Sequence, residues 1–141
     1  MDIAELSDRT EINDALNRYT IAIDTGEFDR LDTVFTPDAQ IDYTESGGIA
    51  AAYPEVKPWL AEVLPTFFRT MMHTLGQVDT QIRGDEADVT AYFHNPMTMD
   101  DGEGGEKIVE IGGLYRHTMT RTPDGWRSRQ LHEEVVWKHN I

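Results

Sequence analysis

"KIVEIGGLYRHTMTRTPDGWRSRQLHEEVVW", residues 107–137, holds two runs of strand-forming residues on either side of "PDG". That tripeptide between such runs is a hairpin signal, since Pro and Gly supply turn geometry that the extended chain on either side cannot. Two further runs precede the pair. "HTLGQVDTQI" (73–82) and "EADVTAYFHNPMTM" (86–99) have the same strand character, and "RGDE" and the Gly-rich "DDGEGGE" supply the connections. The second half of the chain therefore reads as four strands of a long antiparallel sheet. The acidic "DDGEGGE" reads as a solvated loop.

The first half has another period. "EINDALNRYTIAID" (11–24) places Ile12, Ala15, Leu16, Tyr19, Ala22 and Ile23 on the stripe of a helix lying against a core, with Asp24 just past the stripe. After Gly26, Phe28, Leu31, Val34 and Phe35 share one side of a second short helix, which "TPDA" breaks by turn chemistry. "AQIDYT" alternates as a strand with Ile41 and Tyr43 on one face, then enters the loop "ESGGIAAAYPE". "VKPWLAEVL" forms a third helix that clusters Trp59, Leu60, Val63 and Leu64 and ends near Pro65. Helices first and sheet later indicate an α+β domain, with a strongly curved sheet wrapped over the helices and a pocket between the two layers. Repeats, linkers and low-complexity segments are absent, so residues 1–141 are expected to form one domain.

The 141 residues carry 12 Lys and Arg against 26 Asp and Glu, a formal charge of −14. Such a surface repels phosphate backbones and anionic lipid, which argues against nucleic-acid and membrane partners. The opening "MDIAELSDRTEIND" has acids where a signal peptide has a basic and then an apolar region, so a cytoplasmic location is expected. The chain has no cysteine, which excludes disulfides, thiolate nucleophiles and Cys-based zinc sites. The five histidines show no HExxH or other close ligand spacing, and no metal or cofactor is expected. "IGGLY" lies inside a strand pattern and opens no helix, so it is not a nucleotide loop. Without GxSxG, nothing points to acyl-enzyme chemistry.

Chemistry then falls to His, Asp, Glu, Tyr and Arg. Tyr19 lies on the inward stripe and Asp24 about one and a third turns further along, so both reach a common pocket. Each also has an ordinary structural reading: Tyr19 as a core aromatic, Asp24 as the cap of the second helix. His73, in "FFRTMMHTLGQVD", is either a core histidine held by one hydrogen bond or a base facing a pocket walled by its methionines and Leu75. A carboxylate at one ring nitrogen would favour the second reading, because it fixes the tautomer and leaves the other nitrogen free. Strand alternation in "TAYFHNPM" puts Ala91, Phe93 and Asn95 on one face and Tyr92 and His94 on the other; Phe93 reads as core, which turns Asn95 inward. Asn95 then either orients a substrate oxygen or makes a structural bond. Tyr115, His117 and Met119 share a face, but alternation does not say whether it is the pocket face. Arg116, Arg121, Arg127 and Arg129 could bind a substrate carboxylate, but on so acidic a chain they read as partners of surface acids.

The motifs "NRYTIAIDTGEFDRLDTVFTPDAQIDY", "MMHTLGQ" and the C-terminal hairpin, spanning nearly the whole chain, resemble the SnoaL-like branch of the nuclear-transport-factor-2-like superfamily. The resemblance implies a cone-shaped α+β barrel, with three N-terminal helices packed on a curved, mostly antiparallel mixed sheet that encloses a ligand pocket. Within the superfamily the chain looks most like the group that holds scytalone dehydratase, the bile-acid dehydratases and hexachlorocyclohexane dehydrochlorinase. Those enzymes pair a histidine on the first long strand with an aspartate at the end of the first helix, and His73 and Asp24 fall on these positions. The dehydratases add two tyrosines, which correspond to Tyr19 and Tyr43. There are departures. The dehydrochlorinase has a lysine where Tyr19 stands and an arginine where Leu131 stands, and the bile-acid enzymes have an aspartate where Asn95 stands.

What the resemblance implies is a cofactor-independent lyase, a dehydratase acting on a hydrophobic cyclic hydroxy-ketone such as a steroid, polyketide or aromatic-pathway intermediate. The expected catalytic set is His73, Asp24, Tyr19, Tyr43 and Asn95, and the expected assembly a homodimer or homotrimer. The superfamily also holds ketosteroid-isomerase-like isomerases and non-catalytic binding domains, which remain the alternatives because fold does not settle function.

Overall fold

The computed structural model describes residues 1–141. Helix α1 (Ile3–Thr25) starts where the Asp2 side chain accepts the Glu5 backbone N–H at 2.8 Å, and it stops at Gly26, whose φ of 73° suits a residue without Cβ. Its buried face is the expected stripe, Ile12, Ala15, Leu16, Tyr19, Ala22 and Ile23, joined by Thr20. The second helix is a 3-10 helix, Phe28–Thr33, with Leu31 as its buried anchor. Helix α2 (Tyr53–Phe67) ends just past Pro65. Pro65 sits in the last turn, where its missing N–H removes a single bond, and the Phe68 N–H closes the helix on the Leu64 carbonyl at 2.9 Å.

The strands are β1 (Phe35–Asp42), β2 (Ala50–Ala52), β3 (Thr70–Met71), β4 (Thr74–Arg83), β5 (Glu86–Asp100), β6 (Glu106–Thr122) and β7 (Gly125–His139). They form one sheet in the order β2-β1-β7-β6-β5-β3, with β4 also on β5. The pairing of β1 with β7 is parallel and every other pairing is antiparallel. "TPDA" does not break the chain as a turn. β1 runs through it, and its register on β7 slips between Phe35 and Gln40, which accommodates Pro37 where no regular ladder bond is demanded of it. Tyr43 lies just past β1, at the entry to a 3-10 turn (Thr44–Ser46), and is nevertheless buried.

Strands β6 and β7 pair irregularly at two points. Their register shifts between Gly112 and Gly113 and again between Thr118 and Met119. A Cβ on Gly113 would fall on the Glu134 carbonyl oxygen, and one on Gly112 on the Trp137 indole, so "IGGLY" allows the close approach that curvature needs.

Two cores result. Beneath the N-terminal half of α1, Ile12, Ala15 and Leu16 meet Ala87, Val89, Ala91, Met119 and Trp126. The hairpin tip is fastened there, because the Trp126 indole N–H donates to Asp8 (3.0 Å) and its backbone N–H to Glu11 (2.7 Å). The C-terminal half of α1 belongs to the larger core with β1, α2 and the inner faces of β5, β6 and β7. That core is hollow.

Candidate active site

The hollow is a cavity of about 220 Å³. One wall is apolar: Trp59, Leu60, Val63 and Leu64 of α2, with Phe67, Phe68 and Met71. The predicted cluster on the third helix is therefore the cavity wall. Met72 is largely exposed, and Leu75 packs between the two cores without reaching the cavity, so Met71 is the one residue of the expected methionine and leucine wall that lines it. The reason is local. His73 lies in the gap between β3 and β4, and not on a strand as expected, so alternation counted from β4 does not carry back to residues 71 and 72.

Pro96 explains the gap. The Met72 N–H donates to the Pro96 carbonyl (3.1 Å), so that edge of β5 faces the gap, and Pro96 has no N–H to complete the ladder there. Asp24 takes over. Its Oδ2 accepts the backbone N–H of His73 at 2.8 Å, and its Oδ1 accepts Nδ1–H of the same residue at 2.6 Å. Asp24 is in the last turn of α1 and does not cap the following 3-10 helix. A carboxylate at a helix C-terminus is disfavoured by the helix dipole, and the two donors from His73 offset this. With Nδ1 held, Nε2 is left for the cavity, which His73 lines with its side chain about 5% exposed.

Opposite the apolar wall the lining is polar. One hydroxyl of the Tyr19 and Tyr43 pair donates to the other at 2.5 Å. Tyr115 packs edge-on to Tyr19 with ring centroids 5.2 Å apart and stacks on Phe93 at 4.1 Å. Burial pushes the phenols of Tyr19, Tyr43 and Tyr115 upward, which keeps them neutral donors. Asn95 is 8% exposed and lines the cavity; its Nδ2 reaches the Met97 sulfur at 3.5 Å, and its Oδ1 has no partner in the protein. Tyr19, Tyr43, His73 and Asn95 thus face one space, with Asp24 behind His73.

The positions that sequence alternation left open are also resolved. Tyr115 lines the cavity. His117 does not; it is buried beneath it, Nδ1–H donating to Ser128 Oγ (2.8 Å), which in turn donates to the Gln130 carbonyl (3.1 Å). Burial lowers its pKa to about 3. His94 lies on the outer face with Glu110 (2.9 Å). Arg116, Arg121 and Arg129 pair with Glu134, Asp8 and Glu86 on the surface, as expected. Arg127 donates to the Trp126 carbonyl at 3.0 Å.

Sequence reasoning missed Glu133. It lines the cavity, is 7% exposed, and its Oε1 has no partner in the protein. Burial raises its pKa to about 7. The available signal was Leu131 and Val135, two residues away on either side, which place an acid on an otherwise apolar strand face.

A family model for the SnoaL-like domain matches residues 4–132. The chain belongs to the SnoaL-like family. A SnoaL-like chain should be a cone, and this one has the nuclear-transport-factor-2-like fold. The uncharacterised protein Rv2910c of Mycobacterium tuberculosis is 42% identical over 127 residues, covering 90% of this SnoaL-like chain and 84% of the relative. Hexachlorocyclohexane dehydrochlorinase LinA-type3 of Novosphingobium barchaimii superposes with a TM-score of 0.86 at 17% identity, over 100% of this chain and 94% of the other. A scytalone dehydratase-like protein of Novosphingobium aromaticivorans superposes with a TM-score of 0.85 at 16% identity, over 100% and 92%. No helix of this SnoaL-like chain is long and apolar enough to cross a membrane.

Proposed function

We propose that this chain is a cofactor-independent dehydratase that eliminates water from a hydrophobic cyclic hydroxy-ketone of the steroid, polyketide or aromatic-pathway kind. The observation that carries the reading is the Asp24–His73 pair, with its one uncommitted ring nitrogen lining a mostly apolar cavity that also presents the Tyr19–Tyr43 hydroxyls. His73 Nε2 removes a proton made acidic by a neighbouring carbonyl. Asp24 holds the tautomer and stabilises the imidazolium that forms. The tyrosine pair polarises the carbonyl, and Asn95 orients the leaving hydroxyl. A donor placed in advance in a cavity from which water is displaced contributes a few kcal/mol to lowering the barrier.

The test is turnover of a β-hydroxy-tetralone, whose dehydration gives a fluorescent naphthol, by wild type and by His73→Ala. Loss of turnover with retained naphthol binding supports the dehydratase reading. Equal turnover in both proteins, or none in wild type across a panel of cyclic hydroxy-ketones, sinks it. The tyrosine pair would equally serve an isomerase that returns the proton to another carbon; product mass separates the two, because isomerisation loses no water. A binding domain would keep its biological activity in His73→Ala for as long as it kept its ligand.

A further inference from the structure

The proposed mechanism leaves one cavity group without a task, the Glu133 carboxyl. It projects from β7 directly opposite Tyr115 of β6, in a stretch where Leu131 on the same face is sealed in the core. Ser46 offers the Glu133 carboxyl a hydrogen bond, which opposes the effect of burial, but the Ser46 Oγ also donates to the Tyr43 carbonyl at 3.1 Å. No Lys or Arg lines the cavity. A buried carboxyl with one oxygen unpartnered and no cation paired with it in the cavity wall costs folding free energy, which points to a role toward a ligand.

We propose that Glu133 is the catalytic acid of this cavity, giving its proton to the oxygen of a neutral carbonyl substrate while His73 removes a proton from carbon. The proposal rests on the dehydratase reading for its reaction, but not for the state of the carboxyl. The groups facing Glu133 agree with it. Tyr19 from α1, Tyr43 at the end of β1 and Tyr115 from β6 are neutral phenols, while Glu45 in the 3-10 turn repels a second negative charge; the opposing hydrogen bond from Ser46 and the opposing charges of His132 and Lys138 on its own strand are each smaller than the effect of burial. With no cation in the wall, an anionic substrate finds nothing to balance it. The substrate is therefore a neutral ketone and not a carboxylate or phosphate.

The steps balance. In the first, the C–H bond breaks, its proton passes to His73 Nε2, and the carbonyl oxygen takes the Glu133 proton, giving an enol, an imidazolium and a carboxylate. In the second, the enol O–H returns its proton to Glu133, the carbonyl re-forms, the C–O bond to the β-hydroxyl breaks, and His73 gives that oxygen its proton. Water leaves, and both groups are back in their starting states.

Three measurements test the proposal. In protein carrying carboxyl-labelled glutamate, a carbon resonance should titrate at about pH 7 in wild type and be missing from Glu133→Gln. Glu133→Asp provides the same assignment if the first variant does not fold. A Glu133 resonance already ionised well below neutrality overturns the proposal. Naphthol, a stand-in for the enol, should bind wild type more weakly as pH rises through about 7 and bind Glu133→Gln without that dependence; the same pH dependence in both proteins counts against the proposal. On the hydroxy-tetralone, Glu133→Gln should keep naphthol affinity at low pH and lose about 100-fold in kcat, in the range of a positioned proton donor. Unchanged kcat in the variant overturns the proposal. If wild type itself turns over no hydroxy-ketone while the resonance and the binding behave as stated, the dehydratase reading fails and Glu133 stands as the proton donor to a neutral oxygen ligand.

Discussion

Asp24 grips His73 through both carboxylate oxygens, one on the ring nitrogen at 2.6 Å and one on the backbone N–H at 2.8 Å. The second contact distinguishes the pair from a simple ion pair, because it fixes the main chain of residue 73 and not only its ring. That main chain follows Met72, whose pairing with the facing strand is limited to one bond by Pro96. The aspartate thus both anchors the main chain next to a broken ladder and aims a base.

Asp24→Asn separates these two tasks. The amide oxygen can still accept one N–H, but the amide nitrogen cannot accept the other, and the full negative charge opposite the imidazolium is gone. We expect kcat on a hydroxy-ketone to fall by about 100-fold or more, as for loss of an effective general base, with naphthol affinity little altered. Ring nitrogen chemical shifts should show the loss of a single Nδ1–H tautomer. A variant that retains both rate and tautomer would show that the carboxylate merely holds the chain.

Tyr43→Phe removes one hydroxyl from the 2.5 Å pair and leaves Tyr19 without its partner. The fold should lose about 1 kcal/mol, the ordinary net worth of one hydrogen bond, measured by urea unfolding. Catalysis should lose more, about 10- to 100-fold in kcat, because a donor in the cavity acts on charge that develops only in the transition state. Equal losses in kcat/KM and in naphthol affinity, with kcat unchanged, would make Tyr43 a binding group alone.

The parts legible in the sequence were those where a regular period continues over many residues. The stripe from Ile12 to Ile23 and the alternation Ala91, Phe93, Asn95 could be read because one helix face and one strand face are each sealed by apolar neighbours. Where regularity breaks, the reading slipped. β1 passes through "TPDA" because a shift in register tolerates Pro37, and His73 sits in a gap made by a proline more than twenty positions further along the chain. Glu133 escaped for a related reason. The bulge at Arg129, where Thr118 faces Gln130 and Met119 faces Ser128, changes which residues of β7 point inward, so parity counted from Trp126 assigns Glu133 to the wrong face. Tyr19, Tyr43, His73 and Asn95 were found from residue type, alternation and resemblance; that they meet in one cavity required the fold.

Two buried groups tilt the pH dependence of stability in opposite directions. Glu133 has its pKa raised by burial from 4.5 to about 7, so the native state keeps a proton that the unfolded chain releases. Its stabilising contribution is full below pH 4.5 and lost as pH climbs to about 7, a change of about 3 kcal/mol at roughly 1.4 kcal/mol per unit. His117 has its pKa lowered from 6.5 to about 3, so its contribution is present above 6.5 and lost as pH falls toward 3. Glu133→Gln should therefore match wild type on the acid side and exceed it above pH 7, by up to about 3 kcal/mol in urea melts. No divergence between the two proteins on the alkaline side would mean that Glu133 is ionised in the native state.

Trp126 tests whether the two cores are energetically separate. Its ring is fully buried against the N-terminal half of α1, its indole N–H reaches Asp8, and the Arg121 guanidinium lies 4.7 Å above the ring while also pairing with Asp8 at 2.7 Å. Trp126→Ala should destabilise the fold by about 3–5 kcal/mol, the range for removing a large aromatic from a packed core. Trp126→Phe keeps most of the volume and loses the indole donor, while Asp8 retains Arg121, so about 1–2 kcal/mol is expected. None of this touches the cavity, which is built from the other half of α1 and the far ends of β5, β6 and β7. At a temperature where Trp126→Phe remains folded, its kcat and naphthol affinity should equal those of wild type. A loss of activity in step with the loss of stability would show that the hairpin tip and the cavity form one cooperative unit, transmitted along α1 to the Asp24–His73 pair.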